Sequence, residues 1–232
     1  MALIGISGKI GVGKDTVGAI IQYLTSENKK LYTFNDWLDR VTTYNSDPKT
    51  DWKIKKYAGK LKQIVALLTG CKVEDLESAD FKNEPLGSGW EGGTNITAMS
   101  TYRKLLQLVG TDAMRDVIHE NVWVNALFAD YKPKYMVSSF PPPATQEEYI
   151  TQQGYPNWII TDMRFPNEAK AIKQRGGLLI RVERPGSLSQ SDHPSEIALD
   201  NYHGFDYTIL NNGTIDDLVK NVETILREGG II

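Results

Sequence analysis

Gly8-Lys9-Ile10-Gly11-Val12-Gly13-Lys14 fits G-x-x-x-x-G-K, a spacing that cradles polyphosphate when a strand precedes it and a helix follows. Its glycines let the backbone turn tightly with N–H groups facing inward, and the start of the helix adds its positive dipole end. The amides of Gly8, Gly11, Val12 and Gly13 are therefore candidates to hold the phosphates of ATP, and Lys14 to bridge the β- and γ-phosphates. The next residue departs from the pattern: Asp15 stands where a Ser or Thr hydroxyl would touch Mg²⁺. The expectation is that Asp15 binds Mg²⁺ directly or through water while the Thr16 hydroxyl contacts the α-phosphate. An Asp placed for the helix dipole alone is the competing reading.

Further along, Asp162 ends the apolar run Trp158–Thr161 and is expected at the carboxyl edge of a sheet, where open α/β folds bind ligands. It is the first choice for a second metal-positioning or substrate-contacting carboxylate, against a plain turn-capping Asp. Arg164, two residues on, has a planar fork suited to gripping a phosphate. Arg181 and Arg184 flank the end of another apolar run, beside a glycine-containing loop (PGSLSQSD) that could close over the transferring phosphoryl. Lys62 is a candidate for the acceptor phosphate, although Lys55, Lys56 and Lys60 make an exposed basic helix face an equal reading. His193 and Glu196 lack the histidine spacing of a zinc site and read as capping or loop-anchoring residues.

These side chains need a scaffold of alternating strands and helices. Ala2–Ser7, Leu31–Phe34, Trp158–Thr161, Leu178–Val182 and Tyr207–Leu210 read as short buried strands. Thr16–Leu24, Ile54–Leu68, Tyr102–Ile118, Asn121–Tyr131, Asn167–Arg175 and Ile215–Arg227 read as helices from their apolar spacing. On Tyr102–Ile118 the pattern puts Leu106, Val109, Ala113 and Val117 on a core face and Arg103, Gln107 and Arg115 on another, an ordinary solvated stripe by spacing alone. The stretches 69–98 and 132–157 fit neither period and read as loop and surface insertion. The fold expected is α/β: a five-stranded parallel sheet with helices on both faces, forming one P-loop kinase domain. Its core is about 1–35 and 157–232, with an inserted helical substrate-binding region of about 36–156.

Composition narrows the partners. A net charge of −3 gives no general attraction to polyanions, so nucleic acid is an unfavoured partner and phosphate recognition must be local. The single cysteine, Cys71, excludes an internal disulfide and suits a reducing cytoplasm. The N-terminal run lacks the basic flank of a signal peptide, and no apolar stretch reaches the ~18 residues of a membrane span. A cytoplasmic protein is expected, with a homodimer left open.

Taken in order, Gly13-Lys-Asp-Thr16, Tyr57-Ala-Gly-Lys-Leu-Lys62, Arg103-Lys-Leu-Leu-Gln107, Gly110-Thr-Asp112, Arg115, Ile160-Thr-Asp162-Met-Arg164-Phe-Pro-Asn-Glu168, Arg181-Val-Glu-Arg-Pro185, His193-Pro-Ser-Glu196 and Asn211-Asn-Gly-Thr214 resemble phage deoxynucleoside monophosphate kinases. The departures are Asp36–Leu38 with Arg40 and the polar stretch 132–157. The resemblance implies transfer of the γ-phosphoryl of ATP, with Mg²⁺, to a deoxynucleoside monophosphate. It lifts Arg103, Gln107 and Arg115 to contacts with the acceptor's phosphate and base, beside Lys62, Asp162 and Arg164. It implies catalytic roles for Lys14, Asp162, Arg164 and Arg184, and places Asn211, Asn212 and Gly213 near the adenine, where the residues alone show only a turn. The rival enzyme class is a dephospho-coenzyme A kinase, whose substrate motifs are missing. A nucleotide-binding switch is the rival outside catalysis, and a guanine-reading Asn-Lys-x-Asp is absent.

Overall fold

The computed structural model describes residues 2–133, 154–186 and 194–232. His193 and most of the expected PGSLSQSD loop lie outside these, as does much of the stretch 132–157. The chain divides into two compact units, one of residues 1–56 with 130–232 and the other of 57–129.

The first unit is a five-stranded sheet in the order β2-β3-β1-β4-β5, from β1 (Leu3–Ser7), β2 (Trp52–Lys55), β3 (Asn157–Ile160), β4 (Leu178–Glu183) and β5 (Tyr207–Leu210). Every pairing is parallel. Parallel strands need crossovers that cover both faces, which is why β1 (LIGIS) is buried along its whole length. Alternation sends Ile4, Ile6, Ile159, Ile180, Val182 and Ile209 into one core. There they meet Val17, Ile20 and Ile21 of α1 (Lys14–Leu24), Phe34 and Trp37 of α2 (Phe34–Thr42), and Leu218 and Val222 of the C-terminal helix (Ile215–Glu228). The opposite face is covered by the helix Pro166–Lys173. A Cβ on Gly5 would meet its Ile172 Cδ1 at 2.5 Å, so only glycine lets that helix seat.

Two sequence expectations change here. Leu31–Phe34 is not a strand: Thr33 accepts from Asp36 N with its hydroxyl oxygen at 3.3 Å and caps α2, a Thr-x-x-Asp signal that its aromatic, strand-like composition obscured. The edge strand is Trp52–Lys55, inside the stretch expected to be inserted, so Ile54 pairs with Ile159 instead of lying on a helix.

The second unit is helical: α3 (Ala58–Thr69), α4 (Ala79–Lys82), α5 (Tyr102–Gln107), a π-helix (Leu108–Ile118) and α6 (Val122–Phe128). Short 3₁₀ turns at Asp75–Glu77 and Ser88–Trp90 and a bridge between Pro85 and Thr101 give form to the stretch expected as loop. The π-helix corrects the expected helical face. Its i→i+5 bonding, seen where His119 N donates to Met114 O at 3.0 Å, advances less per residue around the axis than the 3.6 period assumes. Arg115 is consequently buried, 7% exposed, while Val117, expected in the core, is 79% exposed.

Among the described residues, the other α-helices of the first unit are α7 (Pro166–Lys173), α8 (Pro194–Ile197) and α9 (Ile215–Glu228).

Candidate active site

The loop between β1 and α1 has the backbone its glycines allow: φ is +155° at Gly8, +78° at Gly11 and +100° at Gly13. Gly8 is also steric, since a Cβ there would lie 2.4 Å from Val182 O. Val12 is fully buried in the core of the first unit. Gly13 N-caps α1 without a side-chain hydrogen bond, which leaves the first amides of an 11-residue helix pointing out of its N-terminus.

Lys14 folds back into the loop, its Nζ donating to Gly8 O and Lys9 O, each at 2.7 Å. Burial and the nearby Arg164 lower its pKa to about 8, with Asp15 and Asp162 opposing and Arg181 adding to the fall. The charged form of Lys14 is thus poorly compensated, and a polyanion in the loop would supply the compensation. Asp15, Asp162, Arg164 and Arg181 thus each act electrostatically on the Lys14 ammonium.

Asp15, in the first turn of α1, accepts from the Thr161 hydroxyl at 2.7 Å and pairs with Lys56 Nζ at 3.4 Å, both through Oδ1. Desolvation pushes its carboxyl up, but the Thr161 hydrogen bond and the Lys56 charge outweigh that and hold it below the usual range. Asp162 follows Thr161 at the end of β3. The turn from Asp162 into α7 is fixed by Glu168, a carboxylate 3% exposed that accepts from Arg164 N at 2.7 Å and Phe165 N at 3.1 Å.

Arg164 reaches α8, where Nη1 pairs with the Glu196 carboxylate and donates to Ser195 O at 3.4 Å. Glu196, within α8, thus ties that short helix to the turn after β3. Lys9 joins the same segment through Glu196 O at 2.7 Å and Asp200 Oδ2 at 2.6 Å, and Arg181 Nη2 reaches Asp200 Oδ1 at 3.4 Å. Lys9, Lys56, Thr161 and Asp200 escaped the sequence reading. Lys9 sits inside the loop motif and could have been flagged; contacts such as Thr161 to Asp15 join residues far apart in the chain and leave no local signature.

Arg184 lies exposed just beyond β4. Thr16 is half-buried in the first turn of α1. Asn211 Nδ2 donates to Val12 O at 2.9 Å while its own N–H donates to Glu183 O at 2.7 Å, so it braces the phosphate loop. Asn212 and Gly213 follow on the surface, and a Cβ on Gly213 would come 2.8 Å from Asp217 Oδ2.

In the helical unit, Lys62 is buried and its Nζ lies 2.6 Å from Glu77 Oε1. Arg103 Nε donates to Asn83 Oδ1 at 2.9 Å, Gln107 is half-buried at the end of α5, and Arg115 Nη1 donates to Glu120 O at 2.9 Å.

An all-parallel sheet with a strand–glycine loop–helix opening and clustered cations at its carboxyl edge defines an α/β phosphotransferase of the P-loop kinase fold. A profile of the deoxynucleotide monophosphate kinase family matches residues 38–222, and the chain belongs to that family. It is an enzyme whose acceptor is a deoxynucleoside monophosphate. Among its relatives, a candidate deoxynucleotide monophosphate kinase of Acanthamoeba polyphaga mimivirus is 28% identical over 229 residues, covering 96% of this chain and 94% of that protein. The deoxynucleotide monophosphate kinase of Enterobacteria phage T4 is 28% identical over 133 residues, 57% of this chain and 48% of that protein. That of Escherichia phage RB69 is 30% identical over 137 residues, 59% of this chain and 49% of that protein. The matches to these two phage enzymes thus span about half of their length.

Proposed function

We propose that the donor is ATP with Mg²⁺, and that the enzyme moves its γ-phosphoryl to the 5′-phosphate of a deoxynucleoside monophosphate. An acceptor phosphate oxygen bonds to the γ-phosphorus, the bond from that phosphorus to the β–γ bridging oxygen breaks, and ADP leaves with the electron pair. The observation that carries this reading is Lys14, a lysine folded into a glycine loop with its charge disfavoured by burial and by Arg164. Phosphoryl transfer asks little covalent chemistry of a protein and depends on positioning and charge compensation.

Among the described residues no group of three or more His, Cys, Asp or Glu side chains gathers as a metal cage. Mg²⁺ in nucleotide sites needs none, because one or two carboxylates complete a shell made mostly of water and phosphate oxygens. Asp15 and Asp162, carboxylates that both act on the Lys14 ammonium, fit that requirement. When bound, the ion neutralises charge on the β- and γ-oxygens.

The amides of Gly8, Gly11, Val12 and Gly13 hold the polyphosphate, Thr16 the α-phosphate, and Lys14 the β- and γ-oxygens. Arg164 and Arg184 offset charge on the transferring group. The helical region within 36–156 takes the acceptor through Lys62, Arg103, Gln107 and Arg115, and the turn Asn211-Asn212-Gly213 borders the adenine. Among the described residues no helix is long and apolar enough to cross a membrane, and we place the enzyme in the cytoplasm, the host's if it is phage-encoded, where DNA precursors are made.

A coupled ADP-release assay across the common deoxy- and ribonucleoside monophosphates tests the reading, with Lys14→Ala as control. Activity on at least one deoxynucleoside monophosphate is expected, falling about 100-fold or more in the variant. Turnover of none, or an unaffected variant, would overturn it.

A further inference from the structure

Where most phosphate loops carry a hydroxyl after the lysine, this chain carries Asp15, and a hydroxyl reaches that position from another strand. Thr161, 1% exposed at the end of β3, donates from Oγ1 to Asp15 Oδ1 at 2.7 Å. Its rotamer has a visible cause. Gly18 lies three residues after Asp15, on the same face of α1. A Cβ there would come 2.6 Å from Thr161 Cγ2 and 3.6 Å from both Ile159 Cγ2 and Ile54 Cδ1. The glycine leaves a notch in the helix, the Thr161 methyl fills it, and the branched side chain is left with its hydroxyl toward Asp15. A glycine inside a helix costs about 0.5–1 kcal/mol relative to alanine, so the notch needs a reason, and close approach of α1 to β3 supplies one.

We infer that Thr161, seated in the Gly18 notch, is a positioning residue that fixes the Asp15 carboxylate for the Mg²⁺ of the bound nucleotide. This rests on the proposal that Asp15 binds that metal. Thr161 stands behind Asp15 as outer-shell groups stand behind metal ligands: it occupies Oδ1 and orients the carboxylate plane without touching the ion. Lys56 Nζ, at 3.4 Å from the same Oδ1, is a cation that compensates Asp15, with Lys14 acting in the same sense. The Thr161 hydroxyl, being uncharged, keeps its hydrogen bond when a divalent cation arrives.

The test is calorimetric and needs no turnover: the ratio of ATP dissociation constants without and with Mg²⁺, with no acceptor present. Asp15→Asn is expected to abolish most of the metal-dependent gain. Thr161→Val, which keeps the volume and removes the donor, is expected to cut it about tenfold while leaving metal-free ATP affinity unchanged. Thr161→Ser restores the donor and should recover most of the gain. Gly18→Ala fills the notch and should reproduce the valine variant, giving a second route if that protein fails to fold. If Asp15→Asn loses the gain but Thr161→Val and Gly18→Ala keep it, the role of Thr161 is overturned and the metal reading of Asp15 stands. If Asp15→Asn keeps the gain, both fall.

Discussion

Lys14 is the residue in which packing and chemistry meet. Its ordinary value near 10.5 is lowered to about 8 by burial first and by Arg164 next. A lowered lysine pKa means that the unfolded chain binds the proton more tightly than the folded one. The electrostatic cost to stability is therefore fully present below about pH 8 and disappears as pH rises toward 10.5. A polyphosphate in the loop reverses the imbalance by favouring the ammonium. ATP binding between about pH 8 and 10 is thus expected to take up a proton, so that affinity falls as pH climbs through that window. Calorimetry in two buffers of different ionisation enthalpy measures the uptake directly, and equal heats in both would contradict it. The lysine was legible from its place in the glycine pattern. Its lowered pKa was not, because the burial comes from the fold, and Arg164 of the turn after β3 and Arg181 of β4 are far from it in the chain.

At the scale of elements, local order decided what could be read. β1, its glycine loop and α1 are consecutive, so apolar run, glycines and helical period all point to the same unit. The edge strand β2 had no such support: WKIK is four residues long, and what makes it a strand is its pairing with β3. Arg115 was misplaced on its helix for a related reason, since the change to i→i+5 bonding at Leu108 is not written in any composition. Where elements touch, the glycines are informative. Gly5 of β1 has Ile172 Cδ1, Leu179 Cδ2 and Met163 Sδ within 3.2 Å of the position a Cβ would take. Gly5→Ala should therefore push α7 from the sheet and cost about 1–3 kcal/mol. Urea unfolding checks this, with an unchanged midpoint counting against such close seating.

For the whole molecule, charge is the property that length and composition settle most directly. With 26 Lys and Arg against 29 Asp and Glu, the chain has a net charge of −3. Around the candidate site several cations are paired internally: Lys9 and Arg181 with Asp200, and Arg164 with Glu196. Such a charge balance gives no general attraction to a polyphosphate rod. Duplex DNA should give no retarded band at 0.15 M salt, and retention that weakens as salt rises would show a basic track that the charge balance does not lead one to expect.

The sheet order also has a consequence during synthesis. β1 pairs with β3 through Leu3 and Trp158 and with β4 through Ile4 and Leu178, so neither neighbour exists until more than 150 residues of chain have followed it. At about 5–20 residues per second, the strand leading into the phosphate loop waits roughly ten to thirty-five seconds for both. Throughout that time an apolar segment with unpaired edges on both sides is open to chaperones and to other nascent chains. Closing such distant contacts is slow even in the finished polypeptide. The glycine loop thus follows a strand whose own pairing waits for β3 and β4.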